Sequence, residues 1–353
     1  MAAAAGESSV MTDPMYDSGG DPASRPGTDL QSDVTSAAGI SARMPPGSAE
    51  FAPWTTPSLQ ARLIARGLRR LIKPRRVGRA DLPLIRVLMA AMTRSRPLPG
   101  VTVERVKAPV HGEWLRPRQP RRGRALLYLH GGGYMAGSPR THRAITARLA
   151  HRLGAAVFAL DYRLAPEHPY PAALEDALTA WRWLLDDGWR PDRIWLAGDS
   201  AGGGLALALM LACKQQNLPL PAAAALFSPW TDLTCSGAAI TENAGRCAWF
   251  TAQQLDFAAR LYADRHTPGD PLISPLLGDL SGLPPLLLHV SDSELLRDDS
   301  LRLEAKARAA GTSVRLRLWH GLPHAWPNFA GLMPEGDACL EDTASALLAL
   351  SAN

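Results

Sequence analysis

The feature that most constrains this chain is an apolar run that ends in a serine flanked by glycines. Residues 194–197 are apolar, and they lead directly into the sequence Gly-Asp-Ser-Ala-Gly at 198–202. Alanine, leucine and methionine then dominate as far as Leu211, which indicates a buried helix. A strand that turns sharply into a helix at a serine is a nucleophile elbow, although clusters of small residues also form ordinary tight turns. The pattern therefore predicts that Ser200 is a nucleophile.

Segments typical of strands and of helices alternate on both sides of this elbow. We predict strands at 101–106, 111–115, 124–129, 155–160, 193–197, 222–227, 286–290 and 314–319. Helices are predicted at 141–153, 172–186, 300–310 and 336–350. This alternation predicts βαβ units, and hence an α/β fold with a mostly parallel central sheet flanked by helices. Residues 231–271 lack a strand signal, so we predict a helical insertion there, large enough to lie over the sheet.

The N-terminal part of the chain has a different composition. Residues 1–52 are rich in Ala, Gly, Ser, Asp and Pro and contain few large apolar side chains. Such a segment cannot bury enough surface to offset its ordering entropy, so we predict a disordered tail followed by one folded unit at 53–353. Apolar residues then recur at helical spacing over 58–72 and 81–92, which predicts two helices ahead of the first strands.

Charge and cysteine usage exclude several classes of protein. The net charge is +5, and much of the positive charge lies in two arginine-rich clusters at 62–79 and 116–124. We interpret these clusters as solvated surfaces, because no nucleic-acid-binding motif accompanies them. No apolar run is long enough to span a membrane, and the first residues do not resemble a secretory signal. The four cysteines show no paired spacing, which favours free thiols in a reducing compartment and a cytoplasmic location.

A serine nucleophile needs a base that works near neutral pH, which points to histidine. His324 follows the last predicted strand in the sequence His-Gly-Leu-Pro-His-Ala-Trp at 320–326, where α/β-hydrolases carry their base. His320 is the alternative, because it lies closer to the strand end. Four carboxylates crowd the segment after the preceding strand, and composition does not choose among them: Asp292, Glu294, Asp298 and Asp299.

Acyl transfer also needs hydrogen-bond donors for the developing oxyanion. Gly131, Gly132 and Gly133 follow a predicted strand and offer unobstructed backbone N–H groups, and the N–H of Ala201 adds another. A triple glycine is also compatible with a flexible turn or a phosphate cradle. The flanking residues match no nucleotide-binding spacing, so we favour an oxyanion hole.

Taken together, these motifs resemble the hormone-sensitive-lipase-like family of α/β-hydrolases over about residues 60–350. The resemblance rests on His-Gly-Gly-Gly at 130–133, Asp-Tyr-Arg-Leu-Ala-Pro-Glu at 161–167, Pro-Tyr-Pro-Ala at 169–172, Gly-Asp-Ser-Ala-Gly at 198–202 and Ser-Pro-Trp-Thr-Asp at 228–232. It implies an α/β-hydrolase fold and hydrolysis of carboxylic esters without a metal or cofactor.

The resemblance also implies roles for particular residues. The acid of this family lies in a pattern that Glu294-Leu-Leu-Arg-Asp298 matches, with Glu where Asp is commoner, so Asp292 remains an alternative to Glu294. His130, Glu167 and His168 are expected to support loops. Residues 56–96 and 232–270 are expected to form a cap over the site. Five apolar cap residues either line an acyl pocket or pack the cap on itself: Trp249, Phe250, Phe257, Leu261 and Tyr262.

We therefore predict a serine carboxylesterase that hydrolyses short- to medium-chain esters through an acyl-enzyme, with Ser200, Glu294 and His324 as the triad. A lactone hydrolase, an N-acetyl deacetylase and a non-catalytic ligand-binding protein on the same fold are the alternatives. The expected partner is a small-molecule ester. We expect no nucleic acid, no stable membrane insertion and no cofactor, and we allow for a homodimer.

Overall fold

The computed structural model describes residues 49–53, 55–73, 77–92, 98–121 and 123–350, and these contain a single mixed sheet of nine strands. The strands are β1 Ala49–Phe51, β2 Val101–Val106, β3 Gly112–Pro117, β4 Ala125–Leu129, β5 Ala156–Leu160, β6 Ile194–Asp199, β7 Ala223–Phe227, β8 Leu286–Ser291 and β9 Val314–Trp319. Their order across the sheet is β1-β9-β8-β7-β6-β4-β5-β3-β2. Only the β5–β3 and β3–β2 pairs are antiparallel, which confirms the mostly parallel sheet.

Helices cover both faces of the sheet. They are α1 Leu59–Leu71, α2 Leu82–Met92, α3 Arg143–Leu153, α4 Ala172–Asp186, α5 Ala201–Gln215, α6 Ala239–Glu242, α7 Ala252–Ala263, α8 Arg297–Ala309 and α9 Pro334–Ala349. Successive strand side chains point to opposite faces. Leu127 and Leu129 therefore join the core that α4, α5 and α8 cover, whereas Leu126 and Tyr128 join the core that α1, α3 and α9 cover.

Helix α5 follows the predicted elbow directly and is buried over most of its length. Every residue from Ala201 to Cys213 is buried, because small residues let the helix lie close against the sheet and its neighbours. A helix that is apolar on all sides is stable only when it is surrounded by other elements. Ser200 is therefore held at the start of a thoroughly enclosed helix.

The predicted tail extends too far toward the first helix. Residues 49–51 form β1, which pairs in parallel with β9, and Ala52 is buried. Glu50 forms an ion pair with Arg317 on β9. This short segment gains its order from backbone pairing with a distant strand rather than from its own apolar content. Residues 1–48 of the predicted tail lie outside the described residues.

The first turn of α8 differs from the prediction. Helix α8 begins at Arg297 rather than at residue 300, because Asp298 and Asp299 lie in its first turn. Their side chains do not cap this helix and instead accept hydrogen bonds from backbone N–H groups of residues 231–239. Burial raises the pKa of Asp299 to about 7, although the backbone N–H groups of Thr231 and Asp232 oppose that rise by donating to its carboxylate.

Candidate active site

Ser200 lies at a strained turn between β6 and α5. Its backbone has φ 53° and ψ −123°, a conformation that residues with a Cβ seldom adopt. The turn is possible because its neighbours are glycines. A Cβ on Gly198 would lie 2.4 Å from the carbonyl oxygen of Gly202, and one on Gly202 would lie 2.1 Å from that of Leu129. This is the geometry of a nucleophile elbow.

His324 lies in the loop after β9 and pairs with Glu294. Its Nδ1 is 2.5 Å from Oε2 of Glu294, and both side chains are almost completely buried. Its other ring nitrogen, Nε2, is buried and has no hydrogen-bond partner within the described part of the chain. His324 and Ser200 line the same cavity, and no hydrogen bond joins the two side chains. One nitrogen of the imidazole is therefore held by Glu294, and the other has no partner among the described residues.

The second carboxylate of this loop belongs to a different pair. Oδ2 of Asp292 lies 2.7 Å from Nδ1 of His320 and 3.3 Å from Arg246, and its Oδ1 accepts a hydrogen bond from the N–H of Gly321. His320 is 41% exposed at the side chain, whereas His324 is 4% exposed. The geometry thus pairs Glu294 with His324 and Asp292 with His320.

Three further groups hold Glu294 and its loop. Oε1 of Glu294 accepts hydrogen bonds from the N–H of Ser291 and from the hydroxyl of Ser228, both at 2.8 Å. The amide Nδ2 of Asn243 donates to the carbonyl oxygens of Asp292 and Glu294, also at 2.8 Å. Because these contacts are buried, they fix the carboxylate that faces His324.

The three glycines after β4 do not have the same contacts. The N–H of Gly131 donates to Oδ1 of Asp199 at 2.9 Å, so it is not available for an oxyanion. Gly132 and Gly133 have positive φ values and line the cavity. Their N–H groups, and that of Ala201, meet no acceptor among the residues that the structure describes. The prediction that Gly131 belongs to the oxyanion hole is therefore wrong, because its N–H is used to hold the glycine loop against Asp199.

Asp199, which precedes the serine, connects four parts of the structure. Its carboxylate accepts hydrogen bonds from the Tyr128 hydroxyl, the Gly131 N–H and the Asn328 amide, and it lies 3.3 Å from Nε2 of His142. Burial alone would raise the pKa of Asp199, but the charge of His142 and these hydrogen bonds lower it overall. The pKa of His142 is raised by Asp199, against the effect of burial. A buried ion pair thus lies beside Ser200.

The site opens into an apolar cavity of about 460 Å³. Its walls include residues from α2, α7 and the loops that carry Ser200 and His324. Of the five apolar residues expected to line a pocket, Trp249 and Phe250 do so. Phe257 and Leu261 pack against Leu82 and its neighbours instead. Tyr262 stacks on Tyr134 with ring centroids 3.7 Å apart.

Comparison with known proteins agrees with the α/β fold. A family profile described as the alpha/beta hydrolase fold matches residues 126–328, which is more than half of the chain. The chain belongs to the α/β-hydrolase family.

Named relatives place this α/β-hydrolase more narrowly. It is 47% identical over 229 residues to the "Acetyl-hydrolase" of Streptomyces hygroscopicus, covering 65% of this chain and 76% of that protein. It is similar to a crystal structure of an esterase from the bacterial hormone-sensitive lipase family, with 40% identity, a TM-score of 0.78 and coverage of 83% and 98%. The esterase EstE5, soaked with p-nitrophenyl butyrate, gives 37% identity, a TM-score of 0.80 and coverage of 84% and 100%.

The residues expected to support loops have contacts in keeping with that role. In this α/β-hydrolase, His130 is buried and stacks on Tyr162 with centroids 4.2 Å apart, and burial lowers its pKa to about 3. Glu167 forms an ion pair with Arg86 on α2. The same arginine also donates to the carbonyl oxygens of Met135 and Ala165, so it ties α2 to the glycine loop.

Sequence reasoning missed the groups that hold the site together: Ser228, Asn243, His142 and Asn328. Ser228 lies inside a motif that the sequence makes conspicuous, so it was open to detection. Asn243 and His142 lie in segments with no distinctive pattern, and only the folded chain brings them to the site.

Among the described residues, no group of three or more His, Cys, Asp or Glu side chains is arranged to hold a metal ion. None of the helices described is long and apolar enough to cross a membrane.

Proposed function

We propose that this protein is a serine carboxylesterase that hydrolyses short- to medium-chain esters through an acyl-enzyme intermediate. The observation that carries the proposal is the pairing of His324 with Glu294 through Nδ1, with its Nε2 left unpaired beside the cavity of Ser200. A histidine oriented by a carboxylate and adjacent to a serine at an elbow is the arrangement that activates a hydroxyl as a nucleophile.

In the first step, Oγ of Ser200 attacks the ester carbonyl carbon while Nε2 of His324 takes the hydroxyl proton. The Glu294 carboxylate stabilises the imidazolium that forms. The carbonyl oxygen becomes an oxyanion, and the N–H groups of Gly132, Gly133 and Ala201 donate hydrogen bonds to it. The tetrahedral intermediate then collapses. The alcohol leaves with the proton that His324 returns, and the acyl group stays on Ser200.

In the second step, water replaces the alcohol. His324 takes a proton from the water as its oxygen attacks the acyl carbon, and the same donors stabilise the new oxyanion. Collapse breaks the ester bond to Ser200, which recovers its proton from His324. The carboxylic acid is released, and every proton that the histidine accepts is given back.

The substrate class follows from the cavity and from the relatives. The wall is mostly apolar and includes Trp249 and Phe250, and the centroid of the Phe250 ring lies 4.8 Å from that of the His324 imidazole. Such a wall favours an uncharged acyl chain. The Streptomyces relative is named an acetyl-hydrolase, and EstE5 was soaked with a butyrate ester, both of which are short acyl groups.

We also propose that residues 56–96 and 232–270 act as the cap of this site. Support comes from the described parts of both segments. Leu84, Ile85, Leu88 and Met89 of the first segment line the cavity, as do Trp249, Leu255 and Ala258 of the second. The cytoplasmic location, the homodimer and the absence of a cofactor stay predictions.

The test is the loss of ester hydrolysis in Ser200→Ala, measured with p-nitrophenyl esters of two to twelve carbons. We expect a fall of about 10⁴-fold or more in kcat, with the highest wild-type kcat/KM on short chains. Ser281→Ala, an exposed serine on the loop before β8, is the matched control and should keep full activity. A serine-directed phosphonate should label Ser200 in the wild type. Near-normal turnover by Ser200→Ala would reject the proposal, and a much stronger rate on a lactone or an acetamide would change the substrate class.

A further inference from the structure

Helix α2 exposes an apolar side that the described structure does not cover. Its outward residues are Pro83, Leu84, Val87, Ala90 and Ala91. Leu84 is 52% exposed and Val87 is 63% exposed. Arg86 is the only charged residue of this helix, and its contacts with Glu167, Met135 and Ala165 hold it against the protein. A helix that is apolar all round is normally covered by another apolar phase.

Helix α1 exposes leucines together with arginines. Ala61, Ala65 and Leu68 form its buried side. On the opposite side, Leu59 is 61% exposed and Leu63 is 55% exposed. Between and beside these leucines lie three exposed arginines: Arg62, Arg66 and Arg70. The helix contains no acidic residue.

The three arginines differ from the other basic residues at this end of the helix. Arg69 donates to the carbonyl oxygen of Arg246, and Lys73 donates to those of Ala244 and Cys247, so both are used in holding the helix to the protein. The guanidinium groups of Arg62, Arg66 and Arg70 form no hydrogen bond or ion pair with any residue that the structure describes. Their charges are therefore free to meet an outside partner.

Both helices border the cavity of the active site. Ile72, which caps the C-terminus of α1, lines the cavity together with Leu84, Ile85, Leu88 and Met89 of α2. An outside phase that contacts the outward sides of these helices would therefore touch the same elements that enclose the site. A water-insoluble ester held in that phase would have a short route to Ser200.

We propose that α1 and α2 form a docking surface for an anionic lipid–water interface, on which the protein binds peripherally. Two contributions to the free energy of binding at such an interface are the burial of apolar side chains and the attraction of basic side chains to anionic headgroups. The exposed leucine and valine side chains supply the first contribution, and the unpaired arginines beside them supply the second. Two other occupants fit less well. A second copy would bring the arginine face of α1 against a like charge, and a nucleic acid would find leucines here rather than aromatic rings on which bases stack.

The experiment is flotation of the whole protein with vesicles at 50 mM and 300 mM salt. Vesicles of phosphatidylcholine alone are compared with vesicles containing phosphatidylglycerol at roughly 30%, an anionic content high enough for headgroup attraction to act. We expect binding to the anionic vesicles that weakens at higher salt, and at least about tenfold weaker binding to the neutral ones. Binding does not require catalysis, so Ser200→Ala should bind as the wild type does, even if the proposed function is wrong.

Two variants separate the charge from the apolar contribution. The triple variant Arg62→Gln, Arg66→Gln and Arg70→Gln should weaken binding to anionic vesicles by about 100-fold, because each arginine near such a surface contributes about fivefold. The triple variant Leu59→Ser, Leu63→Ser and Val87→Ser should weaken binding at both salt concentrations. These six side chains do not line the cavity, so hydrolysis of a water-soluble ester should stay within about twofold and shows that the variants fold.

The matched control removes three exposed arginines elsewhere: Arg105→Gln, Arg118→Gln and Arg193→Gln. This triple variant has the same net charge as the α1 variant and should bind vesicles like the wild type. If both arginine variants lost vesicle binding to the same extent, the binding would depend on the overall charge of the protein rather than on α1, and the proposal would be overturned. It would also fail if the wild type did not bind anionic vesicles at 50 mM salt. A dimer in light scattering that Val87→Ser dissociates would overturn it too, because a second copy would then cover α2.

Discussion

Replacing Glu294 with glutamine should inactivate the enzyme by changing which ring nitrogen of His324 carries the proton. Oε1 of Glu294 accepts a hydrogen bond from the backbone N–H of Ser291, which can only donate. In the variant, the amide oxygen must therefore stay at the Oε1 position. The amide NH₂ then faces Nδ1 of His324, where Oε2 lies at 2.5 Å in the native protein. Nδ1 becomes an acceptor, and the imidazole proton moves to Nε2.

A histidine protonated at Nε2 cannot take the proton of Ser200. The corresponding change in serine proteases with an Asp lowers kcat by about 10⁴-fold. That factor corresponds to about 5 kcal/mol of transition-state free energy. We expect a loss of this size in kcat, with little change in KM, because the carboxylate is buried behind the histidine and does not line the cavity.

The assay is steady-state hydrolysis of p-nitrophenyl butyrate, with thermal unfolding as the check on folding. Asp292→Asn is the matched control, because Asp292 pairs with His320 rather than with His324. We expect its kcat to stay within about tenfold of the wild type. If Glu294→Gln kept kcat within that range, or if Asp292→Asn lost as much activity, the assignment of Glu294 as the acid would be refuted.

Three other changes test the parts of the structure that support the site. Asn243→Ala leaves the buried carbonyl oxygens of Asp292 and Glu294 without this donor. Chemical denaturation should show a loss of about 1–3 kcal/mol in the free energy of unfolding, and kcat should fall. An unchanged kcat would show that this residue does not support catalysis. Gly202→Ala should leave little soluble protein, because its Cβ would lie 2.1 Å from a backbone oxygen; normal expression and melting would contradict the elbow geometry. His130 has a pKa of about 3 when folded and 6.5 as its ordinary value, so the unfolded chain binds its proton first and stability falls as pH drops below 6.5. At pH 5 this costs about 2 kcal/mol relative to pH 8, and His130→Phe should abolish that part of the acid sensitivity in pH-dependent unfolding.

Much of the fold follows from patterns that are local in the sequence. The alternation of apolar strands and amphipathic helices predicts the parallel sheet, and the bounds of most elements differ by only a few residues. The exception is β1, whose residues carry no strand signal of their own. Its order depends on the exposed edge of β9, which local reasoning from residues 49–51 could not include.

The sequence also predicted which residues lie at the site, but it did not predict how their side chains pair through hydrogen bonds. The glycine-flanked turn and the histidine after the last strand are recognisable because the backbone geometry demands particular residue types there. Two histidines and four carboxylates, however, fit the same loops by composition. The backbone N–H of Leu322, shortly after β9, donates a hydrogen bond to the hydroxyl of Ser291 at the end of β8. Contacts of this kind between the two loops decide which carboxylate pairs with which imidazole.

By itself, the sequence determined the mostly parallel sheet, the strained turn at Ser200 and the position of His324 after the last strand, because each depends on the residue types within one short stretch of chain. Only the tertiary structure paired Glu294 with His324 and showed that the N–H of Gly131 donates to Asp199. It also placed the Asn243 side chain where it donates to the carbonyl oxygens of the loop that carries Glu294. Each of these contacts joins residues far apart along the chain. Hydrogen bonds act over about 3 Å, so a shift of one side chain decides between partners that composition leaves equivalent.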